Sequence, residues 1–186
     1  MTDFLARLIT LLESLGIDYM VVGSFASTFY GPPRTTQDID VVVDLDREHL
    51  VNLLDALPED DYYVSREAAL DALRRRGQFN VIDMATSWKA DLILRKLHAF
   101  GREEFGRRRR VTLAGVLLWL ASPEDVILAK LDWCRGRALE SRQIDDVVGV
   151  LRSHGAALDM EYLELHIRQL ALDEEWRIAQ RRLNPE

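Results

Sequence analysis

The sequence predicts an α/β or α+β core followed by a part made of helices alone. Three observations carry this expectation. Short apolar or β-branched runs alternate with segments of helical periodicity up to about residue 121. From Ser122 onward the patterning is helical only. The 186 residues, 48% hydrophobic, suit one domain or a core with a small appendage, and hold enough apolar surface to exclude a disordered chain.

Leu5, Leu8, Leu11 and Leu12 fall at helical spacing and predict a first helix that ends at Gly16. Asp3, Arg7 and Glu13 interrupt it, so it reads as an amphipathic helix and not as a signal peptide. DYMVVG (18–23) reads as a buried strand closed by a glycine. SFASTFYG follows, rich in small residues, and runs into the breaker Gly31-Pro32-Pro33. DIDVVVD (38–44) is a second strand, and 47–57 and 66–76 have helical patterning. FNVIDM (79–84) and KADLILRK (89–96) read as two more strands. A charged stretch, RKLHAFGREEFGRRRR, leads to VTLAGVLLWLA, after which Ser122 caps a helix with Pro123 in its first turn. The chain then reads as helical to its end, broken near Gly155, with a last helix over 159–182 that sets Leu163, Ile167 and Leu170 on one face. The expected division is a core over 1–121 and a helical region over 122–186 packed on it.

Composition excludes several classes. With 24 Lys+Arg against 31 Asp+Glu, the formal charge of −7 speaks against a protein that grips nucleic acid along its whole length. Two local basic runs remain, Arg74–Arg76 and Arg107–Arg110, the second with Lys96 and Arg102 near it. They would suit a phosphate-rich acceptor, but a solvated strand edge that resists aggregation is the favoured reading. One cysteine, Cys134, excludes a disulfide framework and a cysteine-rich zinc site, and reads as a buried inert thiol. The four histidines are too scattered for a metal motif. Trp88, Trp119, Trp133 and Trp176 read as core or half-buried residues. No stretch approaches the ~18–20 apolar residues of a membrane span, so the default expectation is a cytoplasmic protein with no membrane partner.

The informative segment is VVGSFASTFYGPPRTTQDIDVVVD, residues 21–44. Asp38 and Asp40 are separated by Ile39, and strand alternation points both carboxylates the same way. Two carboxylates side by side repel unless solvated or bridged by a cation, and hard divalent ions such as Mg²⁺ share such ligands with phosphates. Gly23-Ser24 stands where a strand gives way to a helix, where backbone N–H groups favour phosphate. Asp91, on another apparent strand, is the preferred third carboxylate; Asp83 is the alternative.

At these residues the chain resembles the nucleotidyltransferase superfamily with the DNA polymerase β-like fold. Gly23-Ser24 and Asp38-Ile39-Asp40 match its pattern of a strand ending in Gly-Ser followed by Asp-x-Asp on the next strand. The context Arg34-x-Thr36-x-Asp38-x-Asp40, with Lys130 and Asp146 on later helices, is most similar to abortive-infection (AbiEii-type) toxin nucleotidyltransferases and related small uncharacterised transferases. Gln143 departs from that pattern, which has an acid there. The resemblance implies an α+β fold, a polymerase β-like core with a mixed sheet flanked by helices plus a helical C-terminal part. It implies Mg²⁺-dependent transfer of a nucleoside monophosphate from an NTP such as ATP to a hydroxyl, with pyrophosphate release. Asp38, Asp40 and Asp91 would hold two Mg²⁺ ions with the NTP, and Asp91 would help deprotonate the acceptor. Gly23, Ser24, Arg34, Thr36, Lys130 and Asp146 would serve the nucleotide. The acceptor would be tRNA, a protein or a small molecule, and a cognate antitoxin is an implied partner. Two other classes stand beside this one: a regulatory module that keeps the fold without turnover, and a nucleic-acid-binding protein without chemistry.

Overall fold

The computed structural model describes residues 2–135 and 142–184; the stretch 136–141 of the expected helical run lies outside them. In chain order the elements begin α1 (Thr2–Ser14), β1 (Asp18–Val21), α2 (Gly23–Tyr30), β2 (Asp38–Asp44), α3 (Arg47–Asp55) and β3 (Tyr62–Tyr63). They continue with α4 (Arg66–Arg75), β4 (Gln78–Asp83), β5 (Lys89–Leu94), α5 (Ala99–Gly106), β6 (Arg109–Leu113) and β7 (Val116–Leu120). The remainder is α6 (Pro123–Cys134), α7 (Arg142–His154), a 3-10 turn (Gly155–Ala157), α8 (Met160–Gln169) and α9 (Asp173–Leu183). No helix of the described residues is long and apolar enough to cross a membrane.

Residue contacts divide the chain into two compact units. The first comprises Met1–Val22 with Thr36–Leu120, and the second Gly23–Thr35 with Ala121–Glu186. The second unit thus takes in α2 as well as the helices after residue 121.

In the first unit the described residues form one mixed sheet of order β3-β4-β5-β2-β1-β7-β6. β2 lies parallel to β5 and antiparallel to β1, while β1 meets β7 in parallel. The expected alternation of β2 holds along its length: Ile39, Val41 and Val43 are fully buried, and the intervening residues are not. β5 opposes Ala90, Leu92 and Leu94 to those three, all buried. α1 adds Phe4, Leu5, Leu8, Ile9 and Leu12, and each such side chain taken from water is worth roughly 1.5–3 kcal/mol. β6 and β7 form a hairpin whose turn, Ala114-Gly115, has both residues at positive φ (50° and 82°), which matches the twist of the flanking strands.

The second unit is helical among its described residues. Ser122 accepts the backbone N–H of Asp125 and caps α6, with Pro123 in the first turn as expected. Val126, Ile127, Leu128, Leu131 and Cys134 of α6 are buried, as are Ile144, Val147, Val150 and Leu151 of α7. α2 packs on both helices. Gly149 lets Pro32 approach α7: a Cβ there would lie 2.4 Å from Pro32 Cδ.

Two expectations need correction, and one stretch to which no element was assigned holds a helix. The charged stretch after β5 contains a helix, α5, capped by the His98 ring, which accepts the Gly101 N–H at 3.0 Å. The last helix is two, not one. Ala171 adopts φ 52°, Leu172 donates to the Ile167 carbonyl at 2.9 Å and Ala171 to that of Arg168 at 3.2 Å. This is a Schellman stop, sealed by the fully buried Leu172, and it has Ala where glycine is usual. Trp133 is exposed, not half-buried, because it lies on the side of α6 away from Leu131 and Cys134.

Candidate active site

The carboxylates belong to the first unit. In the parallel ladder between β2 and β5, Asp40 stands directly opposite Asp91, and Asp38 opposite Lys89. Partners across a ladder share a face, so Asp38, Asp40, Lys89 and Asp91 all project from the side opposite Ile39 and Val41. Asp91 is buried at 9% exposure, and its Oδ1 meets no hydrogen-bond donor. The ammonium of Lys89 lies 3.2 Å from Asp91 Oδ2 and 3.6 Å from Asp38 Oδ2. Burial works to lower the Lys89 pKa, but the hydrogen bond to Asp91 and the attraction of Asp91 and Asp38 outweigh it, and the net shift is upward.

Asp83 is ruled out as the third carboxylate by parity. Val81 pairs with Ala90 and Asn80 with Asp91, so Asp83, two residues beyond Val81, projects with the apolar face. Its carboxylate is spent on the Arg7 guanidinium and on the backbone N–H groups of Ala85 and Thr86.

The remaining candidates, Thr36 apart, belong to the helical unit. Gly23 opens α2 at φ 62°, a conformation that a side chain would strain. Ser24 Oγ accepts from Arg34 Nη2 at 2.8 Å. Asp146 is the hub: its Oδ2 accepts from Lys130 Nζ at 2.7 Å, Arg34 Nη1 at 3.1 Å and Ser27 Oγ at 3.4 Å. Lys130 is held beneath the surface: its side chain is only 7% exposed. Asp146 acts on the two cations, fixing them, and Arg34 in turn fixes the Ser24 hydroxyl. Thr36 uses its hydroxyl on the backbone of Asp38, where β2 begins.

The arginine run after α5 is absorbed by the sheet edge. Arg108 and Arg110 share a face and both lie over the Trp119 ring, at 5.1 and 5.3 Å. They pair with Asp18 at 3.0 Å and Glu13 at 2.7 Å. These two arginines are thus engaged by acids and by aromatic rings, and the Arg108 side chain is only 18% exposed.

Sequence reasoning missed Lys89 and the joint anchoring by Asp146. The signal for Lys89 was present: the alternation that aligns Asp38 with Asp40 also aligns Lys89 with Asp91. Ser27 had no signal beyond its place one turn after Ser24.

Among the described residues, no group of three or more His, Cys, Asp or Glu side chains is gathered as a ready metal cage. The donor set nonetheless fits a hard cation. Three carboxylates share one face, one buried oxygen lacks a partner, and an ammonium already bridges two of them.

The fold is that of the nucleotidyltransferases, an α+β architecture with a mixed sheet. The antibiotic-resistance factor ANT(2'')-Ia, solved in complex with adenylyl-2''-tobramycin, is similar with a TM-score of 0.65 at 15% identity, covering 91% of this chain and 97% of that one. The lincosamide antibiotic adenylyltransferase LnuA, lincomycin-bound, is similar with a TM-score of 0.56 at 13% identity, over 81% of this chain and 96% of that one. An antigenic nucleotidyltransferase-like protein from Paracoccidioides brasiliensis gives 0.56 at 16% identity, over 95% and 90%. No protein-family model matches the chain, and no curated protein matches it by sequence.

Proposed function

We propose that the protein is a Mg²⁺-dependent nucleotidyltransferase that moves a nucleoside monophosphate from an NTP to a hydroxyl acceptor. The observation that carries this reading is the register of Asp40 with Asp91, with Asp38 on the same face and Asp91 Oδ1 buried without a partner. Mg²⁺ held by Asp38, Asp40 and Asp91 would screen the triphosphate and stabilise the departing pyrophosphate. The acceptor oxygen bonds to the α-phosphorus, and the bridging P–O bond to the β-phosphorus breaks. The electron pair leaves with pyrophosphate, and the acceptor proton passes to Asp91. Within the helical unit, the start of α2 at Gly23 and Ser24 suits phosphate oxygens. Lys130 and Arg34, oriented by Asp146, would supply positive charge to an anionic ligand there, which the family resemblance makes the β- and γ-phosphates.

The acceptor class is open to two lines of support. Two fold neighbours are described with antibiotics, which favours a small hydroxylated molecule. The similarity to AbiEii-type toxins favours tRNA or protein, with a cognate antitoxin. Incubation with each labelled NTP, Mg²⁺ and a cell extract reveals which fraction takes the label. Asp38→Ala with Asp40→Ala should abolish that labelling; label that survives the double substitution rejects the mechanism. Mg²⁺-dependent NTP binding without pyrophosphate release would instead identify a regulatory module.

A further inference from the structure

Lys89 is a charged group on the face of the carboxylates with no part in the chemistry set out above. It stands two residues before Asp91 on β5, so the pleat brings its side chain to the face of Asp38 and Asp40. Its ammonium spans the outer two carboxylates, 3.2 Å from one and 3.6 Å from the other. Without it, Asp38, Asp40 and Asp91 would repel one another across adjacent strands. The compensation is incomplete, because Asp91 Oδ1 still has no donor. The lysine also has a way out: its side chain is 30% exposed, against 12% for that of Asp91, and it ends on a flexible four-carbon stem.

Resting on the reading that these carboxylates hold a divalent cation, we infer that Lys89 is the resident counter-cation of the metal-free site and is displaced when the metal binds. An ammonium and a divalent ion cannot share the same oxygens without repulsion, so the two compete. Lys89 keeps the carboxylates together before the metal arrives and sets how tightly it is then held.

The test compares wild type with Lys89→Met, Lys89→Gln, Lys89→Arg and Asp91→Asn. Mn²⁺ is the probe, alone and with α,β-methylene-ATP, followed by the electron paramagnetic resonance signal of free Mn²⁺ and by thermal melting. Removing the competing charge should tighten Mn²⁺ binding about fivefold in the Met and Gln variants. Their metal-free melting temperatures should fall below wild type, and Mn²⁺ should raise them by more. Lys89→Arg should bind no more tightly than wild type, and Asp91→Asn should lose binding. Equal or weaker Mn²⁺ binding by both neutral variants overturns the role of Lys89 and leaves the proposed function standing. Absence of Mn²⁺ binding by every form, wild type included, overturns the metal site itself and this inference with it.

Discussion

Asp146→Ala is the substitution whose cost the structure defines most closely. It removes the acceptor shared by Lys130 Nζ at 2.7 Å, Arg34 Nη1 at 3.1 Å and Ser27 Oγ at 3.4 Å. Lys130 cannot turn to water, since its side chain is 7% exposed, so its charge would stand buried and unmatched. Breaking a buried pair from one side costs about 3–5 kcal/mol. Arg34, at 29% exposure, recovers part of its hydration, which places the expectation near the lower end, about 3 kcal/mol. Adding Lys130→Met removes the stranded charge. The double variant should therefore be more stable than the sum of the two single losses by about 2 kcal/mol. Urea unfolding followed by circular dichroism measures all four corners of the cycle. Losses that add to within about 0.5 kcal/mol would show that Asp146 does not hold Lys130, and the hub assignment would fall.

Gly149→Ala places a Cβ 2.4 Å from Pro32 Cδ, and the backbone must yield; a loss of about 1–3 kcal/mol in denaturant unfolding is expected. Ala171→Gly relieves a left-handed residue at φ 52° and should raise stability by about 1 kcal/mol, read as a higher melting temperature. Burial, and then the hydrogen bond that Tyr19 donates to Glu13, push the Tyr19 pKa up to about 12. Because the folded value lies above the unfolded one near 10, this contribution is complete below about pH 10 and is lost as pH rises through 12. Ultraviolet titration should show one of the five tyrosines ionising late, and urea midpoints should fall across that window.

How far the molecule was legible depended on whether a residue's job was local. β2 was readable from end to end because Ile39, Val41 and Val43, buried, alternate with Asp38, Asp40, Val42 and Asp44, which are not. Ser122 and Pro123 announced α6 because capping is settled within one turn. α5 was hidden, since REEF amid arginines reads as a solvated run, and its cap is a histidine ring. The stop at Ala171 carries neither Gly nor Pro; it is bought by burying Leu172, a tertiary fact. In the site, Asp38 and Asp40 were legible as neighbours on one strand. Asp91 and Asp83 could be told apart only by the ladder register, which sets one on the face of Asp38 and Asp40 and the other on the apolar face. Asp146 could be singled out by position, but its work on two cations from α6 and from the loop after α2 depends on helix packing that no spacing encodes.

The helical unit is assembled from two stretches of chain, and this constrains the order in which the protein can be made. Phe25, Ala26 and Tyr30 of α2 are buried, and the helices α2 packs on, α6 and α7, begin about ninety residues later. At ordinary rates of synthesis that interval is on the order of ten seconds. A nascent chain therefore carries an apolar helix without its partners while the strands up to β7 emerge. Fragments that stop at residue 121 keep that helix unmatched permanently. They should be recovered as aggregates or chaperone-bound material, not as a free sheet domain.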